Sequence, residues 1–200
     1  MWKAPDIRAL HPTRLALALG GVLLLAGCGG GPAPATFDLS AARDFGRIGG
    51  GGQLAVTEPV ALQPINSERI IVRQGASVSF VGGGQWSDKL PALVQARLIQ
   101  TFENGSRIAT VGRPSTLANA GAMLASELRA FEIDAARNTA VVEITARIVQ
   151  ASGPVSAARI FRAEVPVSGA IDAANASHAL DDALQQVMVQ IVRWASGGRR

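Results

Sequence analysis

The chain has 200 residues, of which 48% are hydrophobic, and it carries 19 Lys+Arg against 15 Asp+Glu. This nearly balanced charge excludes a strongly basic nucleic-acid-binding surface, and the single cysteine excludes a disulfide within one chain. The length is sufficient for one domain with a buried core.

The first 28 residues have the pattern of a bacterial lipoprotein signal. Positive residues precede a short apolar run over 15–25, and two small residues then lead to Cys28. This order is typical of a secretory signal, and the run is shorter than the roughly 20 residues that cross a bilayer. The tetrapeptide at 25–28 (LAGC) resembles the lipobox, in which a diacylglycerol is attached to the cysteine thiol. We predict a signal peptide over 1–27, cleavage between Gly27 and Cys28, and a lipid anchor with palmitate-type acyl chains on Cys28. The alternative is an ordinary signal peptide with a chance cysteine at its end.

A tether is predicted to join this anchor to the folded domain. Residues 28–52 are rich in Gly and Pro and end in a GGGG run, which favours a flexible segment. The folded domain is predicted over 53–200. Gly29 stands where an aspartate would favour the inner membrane, so resemblance to enterobacterial sorting favours the periplasmic face of the outer membrane.

The first half of the predicted domain contains strands and one helix. Three short strands are predicted before a glycine run at 82–84, namely 54–62, 69–73 and 77–81. Ser87 is predicted to be the N-cap of the helix that follows. Apolar residues recur at a spacing of four from Leu90 to Phe102 and predict one buried stripe. The helix is predicted to end at Asn104-Gly105, and a strand is predicted over 107–111.

The second half ends in a hairpin and a helix. Segment 120–134 is ambiguous, because its composition favours a helix while its alternation favours a strand. Segments 141–150 and 156–167 alternate clearly on either side of a turn at Gly153, which predicts an antiparallel hairpin. Apolar residues at spacings of three and four predict a helix over 180–194. Together these elements predict an α/β domain with a mixed sheet.

Few residues suggest chemistry. His178 is the one histidine after the predicted signal peptide, and we interpret it as a solvent-facing residue. Asp181 and Asp182 are best interpreted as favourable charges near a helix start. The Gly-x-Ser-x-Gly motif is absent, and no cluster of metal ligands is visible. We predict that the protein is not an enzyme, with no catalytic residues, no metal and no cofactor.

Trp86 stands between the glycine run and the predicted helix. We interpret it as a core residue that fixes the entry to the helix, and the alternative is contact with a partner. In that alternative Gly83 and Gly84 would contribute to the contact. Their backbone N–H groups, close to a helix N-terminus, are also a weak indication of an anion site.

Several motifs, taken in order, resemble the ABC-type transport auxiliary lipoprotein family (PqiC/YmbA-like). They are FDL at 37–39, RIIV at 69–72, QWSDKL at 85–90, LRAFEID at 128–134 and AARIF at 157–161. Phe37 replaces the usual tyrosine of the family, and Gln85 replaces its usual basic residue. The resemblance covers most of residues 37–195.

The resemblance implies both a fold and a function. It implies a strand over 122–134 and a three-layer α/β/α sandwich around a mixed β-sheet. It also implies a non-enzymatic lipoprotein that serves an ABC permease and ATPase together with an MCE-domain protein. Such systems move phospholipids or other hydrophobic molecules between the inner and outer membranes, and the lipoprotein would dock the MCE protein at the outer membrane. Homo-oligomerisation stays open.

The alternative is a structural lipoprotein of another envelope machine, for secretion or lipopolysaccharide assembly. A lipid-binding carrier would need an apolar cavity and an envelope hydrolase would need a catalytic cluster, and the sequence indicates neither.

Overall fold

The structure is a computed structural model that describes residues 33–43, 45–46, 49, 51–117 and 119–197. The predicted signal peptide, the cleavage site at Gly27 and the lipidated Cys28 lie outside these residues. No helix in the described ranges is long and apolar enough to span a bilayer.

The described residues form one mixed sheet and two helices. The strands are β1 (Ala35–Phe37), β2 (Gln53–Val56), β3 (Val60–Ala61), β4 (Arg69–Gln74), β5 (Ser77–Trp86), β6 (Thr110–Gly112), β7 (Ala122–Asp134), β8 (Thr139–Gln150) and β9 (Val155–Pro166). The helices are α1 (Leu90–Gly105) and α2 (Ala173–Ser196). The predicted α/β class with a mixed sheet is confirmed.

Strand β7 organises the sheet. Along one edge it pairs antiparallel with β8, which in turn pairs antiparallel with β9. Along its other edge it pairs in parallel with three short strands in succession, β2, β3 and β4. The sheet then continues from β4 to β5 and β1, and from β2 to β6. A single long strand therefore holds together segments from the whole domain.

Both helices pack on the same face of the sheet. The ring centroids of Trp194 in α2 and Phe161 in β9 lie 5.5 Å apart, and Thr101 of α1 contacts Met188 of α2. In α1, the Gln95 side chain donates a hydrogen bond to a β2 carbonyl. The resemblance implied a helical layer on each face. In the described part of the chain the second face carries charged side chains instead, because the outward positions of β7, β8 and β9 are largely Arg and Glu.

The 122–134 segment is a strand, as the resemblance implied. Strand β7 covers Ala122–Asp134, and its buried residues follow the alternating pattern rather than the helical one. The composition that favours a helix is overridden because pairing on both edges and burial of Leu124, Leu128 and Phe131 reward the strand.

Two local boundaries differ from prediction. Helix α1 has Lys89, not Ser87, as its N-cap residue, and no side chain caps it. The Ser87 N–H instead donates to the Phe37 carbonyl, so Ser87 still belongs to the sheet edge. Strand β5 continues through the glycine run to Trp86, because Gly84, Gln85 and Trp86 pair with β1.

The folded body begins earlier than residue 53. Strand β1 lies within the predicted tether, and Leu39 and Ala42 are buried in the core. Segment 38–43 is fixed by hydrogen bonds from the Ala42 N–H to Thr101 and from the Ser40 N–H to Asp181. A glycine- and proline-rich composition therefore did not reveal this ordered segment.

Candidate functional site

Trp86 lies in the core at the place where β1 pairs with β5. Its side chain is 1% exposed, and its ring meets Phe131 edge-on at 5.8 Å with an interplanar angle of 81°. Edge-to-face contact is a favourable arrangement for two aromatic rings. The Trp86 indole therefore packs in the core beneath β1 and β5, which is the interpretation that the sequence favours.

The two glycines before it have different roles. Gly83 has a φ of +77°, a left-handed conformation that a glycine adopts without strain, and it lies exposed at the surface. Gly84 allows close packing, because a Cβ there would lie 2.7 Å from a Phe37 ring carbon and 2.5 Å from the Ala173 Cβ. The glycine corner, which we define as Gly82–Gly84 with Phe37, is where the first strand joins the rest of the sheet.

An ion pair fixes the chain directly after β1. The Arg97 guanidinium of α1 contacts the Asp38 carboxylate, and the Leu39 N–H also donates to Asp38. Partial burial alone would raise the pKa of Asp38, but these hydrogen bonds and the Arg97 charge together hold that pKa below its ordinary value. The carboxylate is therefore more stable in the fold than in the unfolded chain.

The helix-free side of the sheet carries a network of paired charges, which we call the charged face. It contains five arginines and five acids: Arg73, Arg129, Arg137, Arg147, Arg162, Glu127, Glu132, Glu143, Glu164 and Asp134. Each of these residues has an oppositely charged partner within 4.0 Å, so the face has no net charge.

Glu143 and Glu164 are the centres of this network. Glu143 forms an ion pair with Arg129 at 3.1 Å and accepts a hydrogen bond from Arg162 at 2.9 Å. Glu164 contacts Arg162 at 2.6 Å and Arg137 at 2.8 Å. Hydrogen bonds from Arg162 and then Arg137 lower the pKa of Glu164. A side-chain hydrogen bond from Arg137 likewise lowers the pKa of Asp134. Glu164 and Asp134 therefore stay ionised and act as acceptors.

Exposed apolar residues lie among these charges. Val60 is 66% exposed and stands opposite Glu127, and Ile160 is 52% exposed in the same cross-strand row. Val78 lies opposite Arg73, and Val155 lies opposite Val149 on the same face. Of the five exposed large hydrophobic residues in the described ranges, only Leu62 lies in a loop beyond the strands. Because the charges are paired among themselves, the apolar side chains are free to contact a partner.

The described residues show little that could support catalysis. His178 is exposed, and its Nδ1 lies 3.1 Å from an Asp182 carboxylate oxygen one helical turn away. No group of three metal-ligating side chains occurs in the described ranges. A cavity of about 480 Å³ opens between the end of α2 and the start of β2, and no charged side chain is among its lining residues.

The charged face gives no signal in the sequence. Its partners are far apart along the chain, as with Arg73 and Glu132, which are separated by 59 residues. Alternation predicts that Glu143, Arg147 and Arg162 point away from the core, but only the register of β7, β8 and β9 brings them together. Ser168 lines the same small cavity as His178 and Asp182.

Comparison with known proteins defines the class to which this arrangement belongs. Residues 38–192 match the family described as ABC-type transport auxiliary lipoprotein component. An uncharacterised protein of Bradyrhizobium diazoefficiens is 31% identical over 171 residues, which cover 82% of this chain and 46% of that protein. The chain thus spans less than half the length of that relative.

Solved structures show the same fold. A Xanthomonas campestris protein of the family DUF330 superimposes with a TM-score of 0.70 at 26% identity, covering 82% of this chain and 94% of that one. A second crystal structure, of an uncharacterised protein, has a TM-score of 0.65 at 12% identity over 82% of this chain and all of the other. The two-helix α/β architecture is therefore shared.

The family match begins directly after β1 and covers β2–β9, α1 and most of α2. The chain belongs to the ABC-type transport auxiliary lipoprotein component family.

Proposed function

We propose that this protein is the outer-membrane docking component of an ABC/MCE-type transport system that moves phospholipids or other hydrophobic molecules between the inner and outer membranes. The family match over residues 38–192 is the observation that carries this proposal.

The lipid on Cys28 would hold the protein at the periplasmic face of the outer membrane. One acyl chain anchors a protein only marginally, whereas the two or three chains of a mature lipoprotein anchor it stably. The chain enters the sheet at Ala35, so the span from the proposed anchor to β1 is only a few residues. At roughly 3.5 Å per extended residue, the body stays within about 25 Å of the membrane surface.

The charged face is the proposed docking surface for the MCE-domain protein. Its five positive and five negative side chains cancel, so it would not attract an anionic lipid surface over long range. Exposed Val60 and Ile160 provide apolar contact area among fixed polar groups, which is the usual composition of a transient interface. Such a surface suits a protein partner better than a membrane.

The glycine corner is a second proposed contact region. Gly83 and Gly84 present backbone close to β1, and the buried Trp86 would act there by supporting the corner rather than by touching the partner. Self-association of the lipoprotein is also part of the proposal.

Site-specific photocrosslinking in membranes tests the proposal. A photoreactive amino acid would replace Ile160 on the charged face, Gly82 at the glycine corner, or Gln186 on the exposed side of α2. A Cβ at Gly82 has no atom within 4 Å, and Gln186 is exposed, so each substitution is compatible with folding. Crosslinked products would be purified through a C-terminal tag and identified by mass spectrometry.

We expect an MCE-domain protein crosslinked at position 160 or 82 and not at 186. Capture of a secretion or lipopolysaccharide-assembly component at those positions would overturn the transport assignment in favour of another envelope machine. Equal capture at all three positions would argue against a defined docking surface.

A further inference from the structure

Strand β9 is the long free edge of the sheet. In the described part of the chain it pairs with β8 alone, and it extends over 12 residues. The other outermost strands, β1 and β6, have only three residues each. A long unpaired edge is a template for pairing with another strand unless it is protected.

The register shows which β9 groups face outward. The Val167 N–H donates to the Asn138 carbonyl at 2.9 Å, so this directly opposed pair is a hydrogen-bonded one. Such pairs alternate with unbonded pairs along an antiparallel ladder. Continuing along the β8–β9 register, Ile160, Arg162 and Glu164 fall in the unbonded positions and direct their backbone N–H and C=O groups away from β8. Pro166, which has no N–H, falls in the same outward series.

The outward segment is self-complementary about Ala163. The sequence from Ile160 to Pro166 is IFRAEVP. Among its outward residues, Ile160 and Arg162 precede the centre, and Glu164 and Pro166 follow it. If two copies met antiparallel about Ala163, each Arg162 would lie opposite Glu164 of the second copy. Each exposed Ile160 would lie opposite Pro166 of the second copy.

The alternative registers are less favourable. Centring the two copies on Arg162 would place the two arginines directly opposite each other, and like charges in that position destabilise a strand pair. Centring them on Phe161 would leave Glu164 opposite the small Ala158. Charge thus selects one register among those that match the outward groups.

We propose that β9 pairs antiparallel with β9 of a second copy about Ala163, so that the two sheets become one. Arg162 and Glu164 exchange both backbone hydrogen bonds with the opposite copy, and their side chains extend the ion-pair network of the charged face across the junction. This inference specifies the self-association in the proposed function and does not depend on the identity of the transport partner.

A charge exchange between two variants tests the register. In the Arg162→Glu variant, the new negative charge at position 162 lies opposite the negative Glu164 of the second copy. In the Glu164→Arg variant, the new positive charge at position 164 lies opposite the positive Arg162 of the second copy. We expect each variant alone to lose the dimer and an equimolar mixture to recover it, because both cross-copy pairs are then opposite in sign. The full chain in detergent would be weighed by light scattering, with the detergent contribution subtracted.

A pair of proline variants tests the edge itself. Ile160→Pro removes an outward N–H and places the ring in the junction, whereas Ala158→Pro makes the same change at an outward position outside the paired segment. We expect Ile160→Pro to be monomeric and Ala158→Pro to remain dimeric, with both variants folded. Ile160→Pro should unfold at the lower midpoint, because it lacks the stabilisation that dimerisation gives the folded state. Hydrogen exchange should protect the Arg162 and Glu164 amides in the unmodified chain.

A monomeric unmodified chain, or outward amides that exchange at unprotected rates, would overturn the inference. A dimer that survives both single charge variants unchanged would also overturn it. Since photocrosslinking to the MCE-domain protein is read separately, failure of this dimer and failure of the transport assignment are distinguishable.

Discussion

Phe37 and Gly84 lie so close together that position 84 has no room for a side chain. A Cβ on residue 84 would lie 2.7 Å from the Phe37 Cε2 atom, well inside normal van der Waals contact. Strand β1 is paired in parallel with β5 at this point, opposite Gly84 and Trp86. The Phe37 ring can therefore pack against β5 because residue 84 is a glycine and has no side chain.

Gly84→Ala should destabilise the domain. The added methyl group meets Phe37 and the Ala173 Cβ, and overpacking of this kind costs about 1 to 3 kcal/mol in the free energy of unfolding. Denaturant unfolding measures the effect. Gly82→Ala is the matched control, because a Cβ there meets nothing within 4 Å. Equal stability of the two variants would contradict the packing role of Gly84.

Trp86→Phe should lower stability without weakening partner capture. The indole is buried, and its Nε1 has no hydrogen-bond partner among the described residues, so a phenyl ring loses packing volume but no hydrogen bond. We expect a loss of about 1 to 3 kcal/mol in the free energy of unfolding. Crosslinking yield at position 160 should stay unchanged. A stable variant with lost capture would instead indicate direct contact by Trp86.

Stability at acid pH should depend on the Asp38–Arg97 pair. Since the folded state lowers the pKa of Asp38, the carboxylate contributes stability above its unfolded value near 3.8, and this contribution is lost as the pH falls through the lower folded pKa. Asp38→Asn should therefore flatten part of the acid side of the stability profile. Glu103→Gln, an exposed acid of α1 outside the ion pairs described, is the control. A profile unchanged by Asp38→Asn would refute the pair's contribution.

Glu143→Gln should cost more stability than Glu127→Gln. Glu143 has a side chain 19% exposed, accepts a hydrogen bond from Arg162 and forms an ion pair with Arg129, so its neutralisation weakens both contacts and costs about 1 to 2 kcal/mol. Glu127 lies 3.8 Å from Arg147, and both side chains are nearly half exposed. Its variant should stay within about 0.5 kcal/mol of the parent. Chemical unfolding measures the free energy of unfolding of both variants. A larger loss for Glu127→Gln than for Glu143→Gln would contradict the central position of Glu143 in the network.

Cys28→Ser should release the protein from the membrane. Without the thiol no diacylglycerol can be attached, and the protein should move from the membrane fraction to the soluble periplasmic fraction and lose labelling by palmitate. Gly29→Asp keeps the thiol and tests sorting, because an aspartate there should shift the protein toward the inner membrane. Membrane retention of Cys28→Ser at the parent level would refute lipid anchoring at this residue.

The sequence predicts those elements whose signal is local. The alternation at 141–150 and 156–167 corresponds to β8 and β9, and the three- and four-residue spacing after residue 180 corresponds to most of α2. Helix α2 begins at Ala173, earlier than its apolar stripe suggests, because Asp172 caps it by accepting from the Asn175 N–H. That capping residue precedes a run of small residues, which carries no periodic signal.

Features that depend on distant contacts could not be predicted in this way. Segment 38–43 is ordered by contacts with residues of α1 and α2 that lie 59 and 141 positions further along the chain, so its composition alone suggests a tether. The helical start at Leu90 follows from Ser87 being held by Phe37 rather than being free to cap. The charged face requires the register of three strands, and no residue within it is distinctive by itself.

The pairing of β7 with β2, β3 and β4 also orders events during synthesis. All three short strands leave the ribosome before β7, so the β1–β5–β4 and β2–β6 pairings of the first half of the chain cannot join into one sheet until Ala122–Asp134 has been made. Contacts of such long sequence separation form slowly. A precursor that carries the predicted secretory signal would therefore lack its complete sheet for as long as β7 is unmade.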